Sequence, residues 1–101
     1  MTIMLQSEAI VQTSEASRLL FKLCKHFARK IDVQFDERQA RACFPWGGCH
    51  MQATAEDLVF RCQASSEDNL QQLQTVLQAH LELLTRKVPL TCCWSQPLDL
   101  S

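Results

Sequence analysis

Three histidines and six cysteines are the side chains of this 101-residue chain that could bind a metal or act as nucleophiles. His26 and His80 fall on or beside apolar helical stripes, so two helices packed side by side would bring their imidazoles towards one seam. Such a pair offers two ligands, with Cys24 a third metal candidate, whereas a zinc site needs three or four. The competing assignment is two hydrogen-bonded, partly buried histidines. Cys24 and His26 stand two apart and point away from each other on a helix, which excludes them as a nucleophile–base pair. Without a C-x-x-C, neither a zinc ribbon nor a thioredoxin-like motif is indicated. The thiol-based redox enzyme that the cysteine count alone suggests rests on nothing else. Cys49 and Cys62 are expected to oppose each other as core thiols, and Cys92-Cys93 to place one thiol inward and one outward. No glycine-rich phosphate loop, nucleophile elbow, H-E-x-x-H or paired-carboxylate motif occurs, so an enzyme is not supported.

The positioning elements follow from periodicity. Ser7 to Thr13 alternates as a strand with Ile10 out of pattern, and Thr13-Ser14 offers caps for a helix running to Arg29 or Lys30. Ala16, Leu19, Leu20, Leu23, Cys24 and Phe27 line one side of it, and Arg18, Lys22, Lys25 and Arg29 the other. From Ile31 the period becomes two. Turns at Glu37-Arg38, Gly47-Gly48 and Ala55-Glu56 predict a four-strand meander. Pairing outward from them gives two apolar rows, Ile31-Phe44-Met51-Phe60 and Val33-Ala42-Ala53-Leu58. Between them lies a more polar row, Asp32-Cys43-Gln52-Val59. Ser65-Ser66-Glu67-Asp68 starts a second helix, with Leu70, Leu73, Leu77, His80, Leu81 and Leu84 on its stripe. Arg86 and Lys87 favour its C-terminal end, and Pro89 stops it.

The predicted order is β-α-β-β-β-β-α in a single domain over residues 1–101, with a core at about 7–94 and a tail at 95–101. This makes an α+β, two-layer fold, with two helices on one face of an antiparallel meander and a polar, open face opposite. The same order occurs in the TATA-binding protein, a likeness of topology that carries no function.

Hydrophobic residues at 47%, charged residues at 21% and a net charge of −1 argue against disorder and against general attraction to nucleic acid or membrane. The segment from Ser14 to Lys30 holds five basic residues and one acid, a stripe suited to solvent or to a small anionic ligand. The open sheet face, with Asp32, Gln34, Arg41, His50, Gln52 and Arg61, lacks an aromatic platform for single-stranded nucleic acid. No basic, apolar leader precedes the domain and no apolar run reaches the roughly 18–20 residues of a membrane span, so no membrane insertion and a cytoplasmic address are expected.

Several strings together resemble a bacterial family catalogued as domain of unknown function 2218. They are Ser7-Glu8-Ala9…Val11-x-Thr13, Leu23-Cys24-Lys25-His26-Phe27-Ala28-x-Lys30, Val33-x-Phe35-Asp36, His80-Leu81, Arg86 and Trp94. The family pattern often has a further His where Arg29 stands, and His-Leu-x-Arg-Phe where this chain has His80-Leu81-Glu82-Leu83-Leu84. The resemblance carries His26, Lys30, His80, Arg86 and Trp94 forward as ligand-binding candidates. It implies an accessory role in iron, siderophore or haem handling, with iron or haem as the cofactor to look for. The alternative is a homodimeric protein-interaction module without a small-molecule ligand, docking through a strand edge or helix face.

Overall fold

Alternation at the start of the chain carries directly into β1 (Leu5–Gln12), where Ser7, Ala9 and Val11 are buried and Ile10 is 54% exposed. The structure, a computed structural model, describes residues 4–85 and 93–99. After β1 come α1 (Ala16–Phe27), β2 (Asp32–Phe35), β3 (Gln39–Phe44), β4 (Gly47–Ala53), β5 (Asp57–Ala64), α2 (Glu67–Leu84) and β6 (Leu98–Asp99). The strands form one antiparallel sheet in the order β2-β3-β4-β5-β1-β6. The architecture is therefore α+β, as the periodicity predicts. Helix α1 packs over β2 to β5 and against α2, which packs over β4, β5 and β1.

All six predicted apolar positions of α1 are buried. Its ends are shorter than predicted. The Thr13 hydroxyl accepts from the Glu15 N–H at 3.1 Å, closing the turn before the helix instead of capping it. At the other end the N–H groups of Arg29 and Lys30 turn back to His26 and Phe27, a tightened last turn that releases the chain into β2. In α2 the predicted cap holds: the Ser66 side chain accepts from the Asn69 N–H at 3.2 Å, with Glu67 and Asp68 in the first turn. Leu70, Leu73, Leu77 and Leu81 are buried, each worth about 1.5–3 kcal/mol of transfer free energy.

Two of the three meander turns lie where predicted, and one does not. Val33 faces Ala42 and Met51 faces Phe60, but Phe44 pairs with Gly47 and Ala42 with Cys49. The third turn is therefore Pro45-Trp46, not Gly47-Gly48, and the polar row runs Asp32-Cys43-Gly48-Gln63. Proline supplies the φ wanted at the second position of a type I turn, and glycine is favoured at its fourth, here Gly47. The slip moves β3 past β4 by an even number of residues, so every side chain keeps its predicted face. Beyond the predicted tail boundary, Leu98 and Asp99 pair with Gln6 and Leu5, adding a sixth strand.

The β2–β3 turn makes a pH-dependent prediction. Asp36 Oδ1 accepts from the N–H groups of Arg38 at 2.8 Å and Gln39 at 2.9 Å, and these bonds hold its carboxyl below the ordinary 3.8. A lowered folded pKa means stability that is fully present above 3.8 and lost as pH falls through the lowered value. The amide shifts of Arg38 and Gln39 should titrate together below pH 3.8, and in Asp36→Asn they should not titrate in that window. Titration of the wild-type amides at or above 3.8 would show that the turn does not form in solution.

Candidate functional site

The shortened α1 places His26 in its last turn, half-buried at the edge of the apolar face, where a partial negative charge favours a cation. One turn before the end of α2, His80 is half-buried on the side that meets α1. The two helices bring the imidazole rings into edge contact, with centroids 5.2 Å apart and planes at 68°. His80 Nδ1 lies 2.8 Å from the Val76 carbonyl oxygen. A carbonyl only accepts, so Nδ1 carries the proton and, in the neutral ring, Nε2 keeps its lone pair for a ligand.

Aromatic side chains continue from this pair towards the β3–β4 turn. The Phe27 ring lies 4.7 Å from His80 and 5.2 Å from Phe44, which stacks on Trp46 at 6.1 Å. Phe27, Phe44 and Trp46 are the part of this site that sequence reading missed. Recognising Phe44-Pro45-Trp46-Gly47 as the turn would have placed Phe44 and Trp46 at the helix end. Lys30 is exposed and lines a shallow depression with Ile31, Asp32, Cys43, Phe44 and Pro45.

The other candidates are not gathered here. Trp94 stacks on Phe60 at 6.1 Å and bridges to Ala9 of β1, so its ring contact is with the core. Arg86 lies outside the described residues, as do Lys87, Pro89 and Cys92. Cys24 is fully buried, and burial pushes its thiol up to about 11. No cluster of three His, Cys, Asp or Glu occurs among the described residues.

Cys49 and Cys62 face each other as predicted, with sulfurs 3.7 Å apart. The hydrogen bond between them and burial raise the Cys49 pKa well above its ordinary value. Cys43 and Cys93 are exposed. A disulfide reagent at neutral pH should therefore modify Cys43 and Cys93 in the folded protein, and Cys24, Cys49 and Cys62 only on unfolding. Mass mapping of the labelled peptides checks this. Rapid native labelling of Cys24 would show that the helix layer opens.

The comparisons with known proteins point the same way as the fold. The sequence profile of a family described as "Uncharacterized protein conserved in bacteria (DUF2218)" matches residues 8–95. The NMR structure of PA4090 from Pseudomonas aeruginosa is similar, with a TM-score of 0.76 at 26% sequence identity, covering 89% of this chain and 94% of that one. No curated protein matches the sequence. No helix among the described residues is long and apolar enough to cross a membrane.

Proposed function

We propose that the chain, which belongs to the uncharacterised bacterial DUF2218 family, is a small cytoplasmic accessory protein that binds a ligand through His26 and His80. One observation carries this reading: the two rings meet at 5.2 Å while the Val76 carbonyl fixes His80 with Nε2 free. Metal-ligating histidines are commonly oriented in this way, by a backbone carbonyl on the other ring nitrogen.

The residues present select among the iron-related ligands. Direct ring contact leaves no space for a porphyrin between the imidazoles, so haem held by both does not fit. A closed metal centre made by the protein alone lacks a third donor among the described residues. What fits is a metal ion already held by an anionic chelator, with His26 and His80 filling its open positions. The metal would supply a strong point of attachment. Lys30, which shares a depression with Phe44 and Asp32, is the cation available there for one of the chelator's carboxylates.

Ferric nitrilotriacetate, a chelate with open coordination positions, is a suitable probe for the untagged protein. Saturable paramagnetic broadening should centre on His26 and His80 and disappear in His26→Gln and in His80→Gln. Broadening that centres on His50, or that survives both substitutions, overturns the reading. So does a variant that loses binding only because it melts, since the histidines are then structural.

A second reading, a homodimer, is favoured by one feature. Phe21 is 54% exposed and Phe35 38%, in edge contact at 6.0 Å beside β2, which among the described residues pairs on one side only. Light scattering that finds a strict monomer at high concentration removes it.

A further inference from the structure

On the open face of the sheet, away from both helices, Arg41 of β3, His50 of β4 and Arg61 of β5 stand in register as direct cross-strand neighbours. Strands are about 4.8 Å apart, so the two guanidinium groups spring from points about 10 Å apart with an imidazole between them. The arginines are separated by His50, and the one directly adjacent charged pair of the row, Arg61 beside Glu8, is of opposite sign. Only one arginine is neutralised: Arg61 Nε donates to Glu8 Oε2 at 2.8 Å. Arg41 forms no ion pair among the described residues. Asp32 and Asp36 stand two positions to either side of Gln34, its partner on β2; neither forms an ion pair with Arg41, and Asp36 directs Oδ1 to the turn amides of Arg38 and Gln39.

These three side chains border a depression of about 540 Å³ that no carboxylate lines. Gln6 and Gln63 form its rim, joined by a 2.8 Å hydrogen bond from Gln63 Nε2 to Gln6 Oε1. Gly48 forms part of its wall. A Cβ there would meet only the Ala42 carbonyl oxygen, at 3.9 Å, and its φ is not in the positive region. The backbone therefore does not require glycine at this position, and its missing side chain opens the recess.

We propose that this recess binds a small polyanion through its oxyanion groups, carboxylate or phosphate, with Arg41 and Arg61 as bidentate donors and His50 between them. An oxyanion bound between the arginines forms charge-assisted hydrogen bonds with both. The recess is large enough for a small molecule, and without an aromatic platform it does not suit stacked bases. This site is on the opposite layer from His26 and His80 and does not rest on them.

The test is amide NMR of the whole chain titrated separately with citrate and with pyrophosphate, with chloride matching the ionic strength. Saturable shifts should centre on Arg41, Gly48, His50 and Arg61. Response to citrate alone identifies a carboxylate ligand, to pyrophosphate alone a phosphate, and to both an oxyanion site without further selection. Arg41→Gln should weaken binding about tenfold or more, Gly48→Val should block the recess, and Lys22→Gln, on the exposed side of α1, should change neither titration. Arg41 is exposed, so Arg41→Gln tests the site even if Gly48→Val perturbs the strand. Absence of saturable shifts with both probes, or unchanged affinity in Arg41→Gln, overturns the proposal, as do shifts that centre on the lysines of α1.

Discussion

Gly47→Ala is expected to destabilise the protein by about 2–5 kcal/mol, while Gly48→Ala, one residue on, leaves stability unchanged or raises it by up to about 1 kcal/mol. Gly47 has a φ of 152°, which L side chains rarely adopt. A Cβ there would also overlap the Gln63 carbonyl oxygen and stand 3.2 Å from the Cα and Cβ of Ala64. The obstacle is largely backbone of a neighbouring central strand, so relief requires β4 and β5 to move apart. At Gly48 the added methyl meets nothing closer than 3.9 Å, and the main change is a smaller entropy of the unfolded chain. Urea denaturation of the two variants beside the wild type measures both effects. Equal midpoints for the two variants would mean that the turn is at Gly47-Gly48 after all, with β3 and β4 in the register that the glycine pair suggested.

The same two glycines show what was legible in the sequence and what was not. Local chemistry identified the turns at Glu37-Arg38 and Ala55-Glu56, where Asp36 and Thr54 side chains accept from the turn amides. At the β3–β4 hairpin two turn signals overlapped, Pro-Trp-Gly and Gly-Gly, and only the close approach of Gln63 decides between them. That approach depends on β5 and cannot be read from β3 and β4. The shift preserved which residues face the helices because alternation constrains a face more strongly than a register. His26 and His80 were legible as residues beside buried stripes. Their meeting depends on how α1 and α2 lie across the sheet, which periodicity does not encode. Trp94 and the sixth strand were illegible for a simpler reason: their partners, Ala9, Leu5 and Gln6, lie at the other end of the chain. The Arg41-His50-Arg61 row was visible as polar residues on the open face, but its alignment depends on the corrected β3–β4 register, which puts Arg41 opposite His50 and Cys43 opposite Gly48.

Phe60→Ala is expected to cost about 3–5 kcal/mol, a large share of the roughly 5–15 kcal/mol that holds a domain of this size. Phe60 is fully buried on β5, fourth in the row Phe35-Ala40-Met51-Phe60-Ala9, where the buried Met51 flanks it on one side and the small Ala9 on the other leaves room for its ring. Truncation opens a cavity under both helices. It also removes the surface on which Trp94 stacks. The Trp94 bridge to Ala9 and the paired hydrogen bonds between Glu8 and Ser95, at 2.7 Å and 2.9 Å, then lose their adjoining support. The loss should therefore spread from the core to β6. Trp46→Phe leaves Trp94 as the sole tryptophan and gives the readout. In that background Phe60→Ala should shift Trp94 emission to the red and speed amide exchange at Ser95 before global unfolding, whereas Phe60→Leu should recover most of the stability without restoring the stacked signature. If Phe60→Ala lowers stability with no change at Trp94, the C-terminal segment is held by its backbone bonds alone. The indole would then be available to a ligand, as the family resemblance suggests, and its structural assignment would fail.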